Sequence, residues 1–156
     1  MKKFSALIIG LIILSISTIG GLACGGSGNE STEVPKQASV EVSNEEFQAA
    51  SASNSGLVSK AIEVASGDSI VVTLWSNQTT GYSWSESATI SAPDVLQQTN
   101  HEYVAPETGL MGAAGKEVWT FKTLKTGTSE VRMSYSRPWE GGEKITYEFS
   151  LTVTVK

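Results

Sequence analysis

The chain holds one cysteine and one histidine, and each shortage excludes a class of chemistry. Cys24 precedes every strand-like run, so the folded part has no disulfide and depends on an apolar core, which about 100 residues can build. A serine or cysteine nucleophile needs a base in reach. The only imidazole, His101, sits in the polar run Gln97-Gln98-Thr99-Asn100-His101-Glu102 and reads as a solvated surface residue. One histidine without cysteine partners also argues against zinc. Asp94, Glu102, Glu107, Glu117 and Glu140 read as solvated charges, since none is set where burial would raise its pKa for glycoside hydrolysis. The Gly-rich run Gly109 to Gly115 lacks the Lys-Ser/Thr ending of a phosphate loop. The expectation is a protein with no catalytic residue, no metal site and no cofactor.

Basic residues are scarce too, with 11 Lys and Arg against 16 Asp and Glu. Two of those bases, Lys2 and Lys3, open the chain ahead of the apolar stretch Phe4 to Ile19, and that order reads as a signal peptide. Without them 9 bases face 16 acids, a formal charge of −7 that excludes clustered phosphate contacts and hence nucleic acid. The apolar stretch falls short of the roughly 20 residues that span a bilayer, which favours a cleaved signal over an anchor helix. Cys24 follows in Gly20-Gly21-Leu22-Ala23-Cys24-Gly25-Gly26, which resembles a bacterial lipobox, except that Gly21 stands where leucine is usual. Lipidation would account for a solitary thiol in an exported protein. The expected organisation is a lipoprotein-type signal over 1–23, a flexible tether over 24–56 and a folded domain over 57–156. The protein is expected at the cell envelope or secreted, meeting a membrane only through the lipid on Cys24.

Long apolar runs and helical periods are missing after Gly56; short β-branched and aromatic runs punctuated by Gly, Asn, Pro and Asp take their place. Between Gly25 and Gly56 only Phe47 is aromatic, so this stretch reads as disordered, with a reach of roughly 30 Å. A short helix near Asn44 to Ala50, capped by Ser43 or Asn44, is compatible with the residues, but no sustained period supports it. Strands are expected at Leu57 to Val64, Ser69 to Trp75, Tyr82 to Ser87, Val95 to Val104, Lys116 to Leu124, Glu130 to Ser136 and Ile145 to Val155. The last alternates strictly, with Ile145, Tyr147, Phe149, Leu151, Val153 and Val155 on one side. Two packed sheets of about seven antiparallel strands follow, an all-β, immunoglobulin-like sandwich without the usual cysteine pair.

Three connections are unusual. Asn77-Gln78-Thr79-Thr80-Gly81 precedes Tyr82 and Trp84, Gly109-Leu110-Met111-Gly112-Ala113-Ala114-Gly115 leads into a strand ending Phe121-Lys122, and Arg137-Pro138-Trp139 joins the last two strands. Alternate connections of a sequential sandwich lie at one end, and these three occupy such positions. Singly, they also fit a plain turn, a flexible loop and a core tryptophan. As an ordered set covering nearly all of Leu57 to Lys156, they resemble the chagasin family of papain-like cysteine peptidase inhibitors.

The resemblance implies a monomeric, three-loop wedge that binds such peptidases. Thr79 and Thr80 approach the catalytic centre, Leu110 and Met111 lie on the side that takes the substrate's apolar residue, and Trp139, with Arg137 beside it, stacks on the leaving-group side. Gln78 replaces the family's proline, which removes a fixed φ and raises the cost of ordering the loop. The competing reading is a surface adhesion or glycan-binding sandwich, whose aromatic platform would lie on a sheet face.

Overall fold

Strict alternation puts one face of each strand toward a partner sheet, and the sheets form around those faces. The computed structural model describes residues 34–108, 110, 112–137, 139, 141 and 145–156. Strands β1 (Gln37–Val42), β3 (Ser69–Ser76), β7 (Gly115–Thr123) and β6 (Leu96–Val104) make one sheet in the order β1-β3-β7-β6. In the second sheet β2 (Leu57–Val64), β9 (Tyr147–Val155), β8 (Gly127–Ser136) and β4 (Ser83–Trp84) run in that order. The short β5 (Thr89–Ile90) also pairs with β8.

Between the sheets lie Ile70, Val72 and Leu74 of β3, Trp119 and Phe121 of β7, Val131 and Met133 of β8, and Phe149, Leu151 and Val153 of β9, all buried. Each large apolar side chain so placed contributes about 1.5–3 kcal/mol. The immunoglobulin-like sandwich is therefore as expected, but it is not wholly antiparallel. β1 runs parallel to β3, with Gln37 opposite Ser69, and β2 runs parallel to β9, with Leu57 opposite Glu148. Alternation reports which face a residue takes, and strand direction leaves no mark on it.

The expected flexible tether is wrong from Gln37 onward. β1 extends the first sheet by backbone hydrogen bonds and turns Val40 and Val42 inward. Helix α1 (Asn44–Ala52) follows, and its Phe47 is completely buried, with ring centroids 5.1 Å from Trp84 and 5.3 Å from Tyr147. Glu46 accepts from the Ser43 N–H at 3.0 Å and pairs with Lys60 of β2. The composition misleads because an edge strand is held largely through its backbone, and one aromatic plug anchors a short amphipathic helix. Expected tether residues before 34 lie outside the described residues.

Two boundaries also move. The strand expected over Tyr82 to Ser87 shrinks to Ser83–Trp84, because the following backbone is satisfied by side chains. Glu86 O accepts from Trp119 Nε1 and Gln98 Nε2, and Ala88 N–H donates to Gln98 Oε1. Ile145, expected on the buried face of the last strand, is 53% exposed ahead of β9.

Register places the β1–α1–β2, β3–β4, β6–β7 and β8–β9 connections at one end of the sandwich. The β2–β3 and β7–β8 turns occupy the other.

Candidate functional site

The first loop is held by its own side chains. Gln78–Thr80 forms a single 3-10 turn between Asn77 and Gly81, which closes it at φ +81°, a conformation open to glycine at no steric cost. Asn77 Oδ1 accepts from Thr79 Oγ1 at 2.6 Å and from Thr79 N–H at 3.3 Å, and Asn77 O accepts from Thr80 Oγ1 at 2.6 Å. This Asx-type closure leaves Gln78, Thr79 and Thr80 exposed at the tip.

The other loops lean on the first. Asn77 Nδ2 reaches Gly112 O of the Gly-rich connection at 3.5 Å, and Leu110 there is 71% exposed. Gly115, where β7 begins, has no room for a side chain, since a Cβ would lie 2.3 Å from Val104 O. From the third loop Arg137 Nη2 donates to Thr80 O at 3.2 Å, with its guanidinium 4.4 Å from the Tyr82 ring centroid. Trp139 covers Gly81, where a Cβ would lie 2.4 Å from its Cη2, and the indole remains 49% exposed. Three segments distant in sequence thus meet around Asn77 to Gly81.

Beneath them is a rigid platform. Tyr135 stacks on Tyr82 at 5.4 Å and lies 5.2 Å from Trp84, while its hydroxyl accepts from the Asn77 N–H at 3.0 Å. Burial raises the Tyr135 pKa, so the phenol stays protonated and donates to Asn77 O. Glu117, expected as a solvated charge, is instead buried. Its carboxylate accepts from Ser76 Oγ at 2.7 Å and from the Trp84 N–H at 3.3 Å, which ties together both stems of the first loop. His101, also expected in solvent, completes this network: Nε2 lies 2.9 Å from Glu117 Oε2 and the ring stacks on Trp119 at 4.7 Å. Alternation explains both departures, because Glu117 shares the inward face with Trp119 and Phe121, and cross-strand pairing sets His101 opposite Trp119.

Residues 63–153 match the model of the chagasin family peptidase inhibitor I42. The chain belongs to the chagasin family of peptidase inhibitors. It is 33% identical to chagasin of Trypanosoma cruzi over 92 residues, 58% of this chain and 84% of that protein. Among solved structures, the cysteine protease inhibitor EhICP2 of Entamoeba histolytica shares the fold with a TM-score of 0.54 at 23% identity, covering 77% of this chain and 97% of that one. PbICP-C, solved in complex with falcipain-2, has a TM-score of 0.51 at 16% identity, covering 76% of this chain and 99% of that one.

In this chagasin-family chain the structure brings together Asn77, Gln78, Thr79, Thr80, Gly81, Leu110, Gly112, Arg137 and Trp139 at one end. Gly109, Met111, Pro138 and Cys24 lie outside the described residues. Tyr135 and Glu117 were not singled out as part of the site, although the alternation that turns both inward at the loop end of their strands was a usable signal. Phe47, the lone aromatic behind Ser43 and Glu46 at capping-box spacing, was the signal for α1.

Proposed function

We propose that this domain reversibly inhibits papain-like cysteine peptidases by seating its three loops in the active-site cleft. The observation that carries this reading is the convergence of the exposed Thr79–Thr80 tip, Leu110 and Trp139 around one 3-10 turn braced from below by Tyr135 and Glu117. Thr79 and Thr80 face the catalytic centre, Leu110 with Met111 takes the side of the substrate's apolar residue, and Trp139 with Arg137 covers the leaving-group side. A loop braced in this way has less entropy left to lose on binding. A half-exposed indole backed by a guanidinium has the size and stiffness of a binding hot spot.

Titrating papain with the protein tests the reading. Stoichiometric loss of peptidase activity with an intact inhibitor chain afterwards is expected, and full activity at micromolar inhibitor would sink it. The adhesion reading has less support: among the described residues Trp139 is the exposed large aromatic, and it lies on a loop, not on a sheet face.

The wider setting is also a proposal. The residues Met1 to Cys24 support export and lipid attachment through Cys24, with the inhibitor a monomer at the cell envelope or, without the lipid, secreted. Mass spectrometry of the mature N-terminus distinguishes a diacylglyceryl cysteine from an unmodified cut.

A further inference from the structure

A groove of about 600 Å³ opens at the loop end between α1 and the connection from β6 to β7. Its apolar lining is Val42, Trp75, Val104 and Pro106. Its charged lining is mostly acidic: Glu41, Glu45 and Glu107 line it against one base, Lys116, which is already paired with Glu41. That leaves Glu45 and Glu107, both exposed, without a basic counterpart in the groove lining. Ala114 and Gly115, the last residues of the Gly-rich loop, also line the groove, so it is continuous with the surface that carries Leu110. The family match begins at residue 63, and the α1 wall, with β1 behind it, lies outside the matched stretch.

The geometry points to a fourth contact with the target peptidase: a lysine- or arginine-bearing surface loop bordering the cleft on the Gly-rich-loop side docks in this groove. The inference rests on the inhibitor reading above and adds the partner's chemistry to it. A long basic side chain suits both halves of the groove, its aliphatic stem lying on Trp75 and Pro106 and its charge meeting Glu45 and Glu107. Paired charges at the margin of an interface act chiefly on association rate and on the choice of partner. The groove therefore selects among peptidases, while the three loops supply the block common to them.

The test crosses two inhibitors with two enzymes. The full chain and its Glu45→Lys/Glu107→Lys variant are assayed against a papain-like peptidase carrying Lys or Arg on that flank, and against a variant of the same enzyme with those residues changed to Ala. The expected result is inhibition of the basic enzyme weakened by about tenfold or more, mainly through slower association, with the alanine enzyme affected less than about twofold. The difference should shrink as salt is raised. If the wild-type chain inhibits both enzymes and the charge reversal changes neither, or changes both alike, the groove contact is overturned and the inhibitor reading stands. If the wild-type chain inhibits neither enzyme, both fall. A wild-type dimer in sedimentation that the double reversal dissolves would make a second copy the occupant and overturn the peptidase contact. Both substitutions are at exposed positions, and an unchanged circular dichroism spectrum confirms that the variant folds.

Discussion

The two ends of the sandwich solve the same problem differently. At the end bearing the β2–β3 and β7–β8 turns, the connections are short and staple one another: Asp68 accepts from Lys36 N–H at 2.8 Å and Ala65 N–H at 3.0 Å, and Thr123 Oγ1 reaches Ala65 O at 2.9 Å. At the other end the connections are longer, and the polar groups that brace them, Glu117 and the Tyr135 hydroxyl, are drawn in beneath the surface. Bracing from below frees the outer face of the loops to expose Thr79, Leu110 and Trp139. Stability and display are thus divided between the two ends.

The largest expected effect comes from removing the plug or the brace of the loop end. Phe47→Ala should cost about 3–5 kcal/mol in urea denaturation, since it empties the space between Trp84 and Tyr147. An unchanged midpoint would return β1 and α1 to the status of a tether. Glu117→Ala should cost a similar ~3 kcal/mol by orphaning Ser76 Oγ, Trp84 N–H and His101, and should weaken inhibition more than Phe47→Ala does, because both loop stems lose their clamp.

Next comes Trp139→Ala, which should leave the melting temperature within a degree or two yet weaken peptidase binding by about 2 kcal/mol, read as the inhibition constant. Equal potency would mean that the third loop displays nothing the target uses. Gln78→Pro, at the opening of the 3-10 turn, should tighten the inhibition constant modestly, because a fixed φ lowers what the free loop still gives up on binding.

The smallest effect belongs to the far end. Hydrogen bonds from Lys36 and Ala65 hold the Asp68 carboxyl below the usual aspartate range, so its contribution is present above the unfolded pKa and is lost as pH falls through the lower folded value. Asp68→Asn should lower the melting temperature slightly at neutral pH, the gap to wild type should close as pH drops below about 4, and inhibition should not change. A loss of inhibition here would break the division between the ends.

Most strand positions after Gly56 and the three loops were legible in the residues, because alternation and turn chemistry are local. Trp84 and Trp119 are buried in the core, and Trp75 and Tyr147 pack partly buried against it. His101 and Glu117 were misread because neighbouring polarity in sequence says nothing of what crosses from the next strand. The short helix near Asn44 to Ala50 was set aside because what fixes α1 is Phe47 packed on side chains distant in sequence.

What the sequence by itself determined is the sandwich class and the ordered loop set that places the chain in its family, since both are written in near-neighbour patterns. Only the tertiary structure decided the parallel edge strands, the inward clamp of Glu117 on both loop stems and the groove beside α1. Each of these is a meeting of segments far apart in the chain, and a linear pattern holds no record of such meetings.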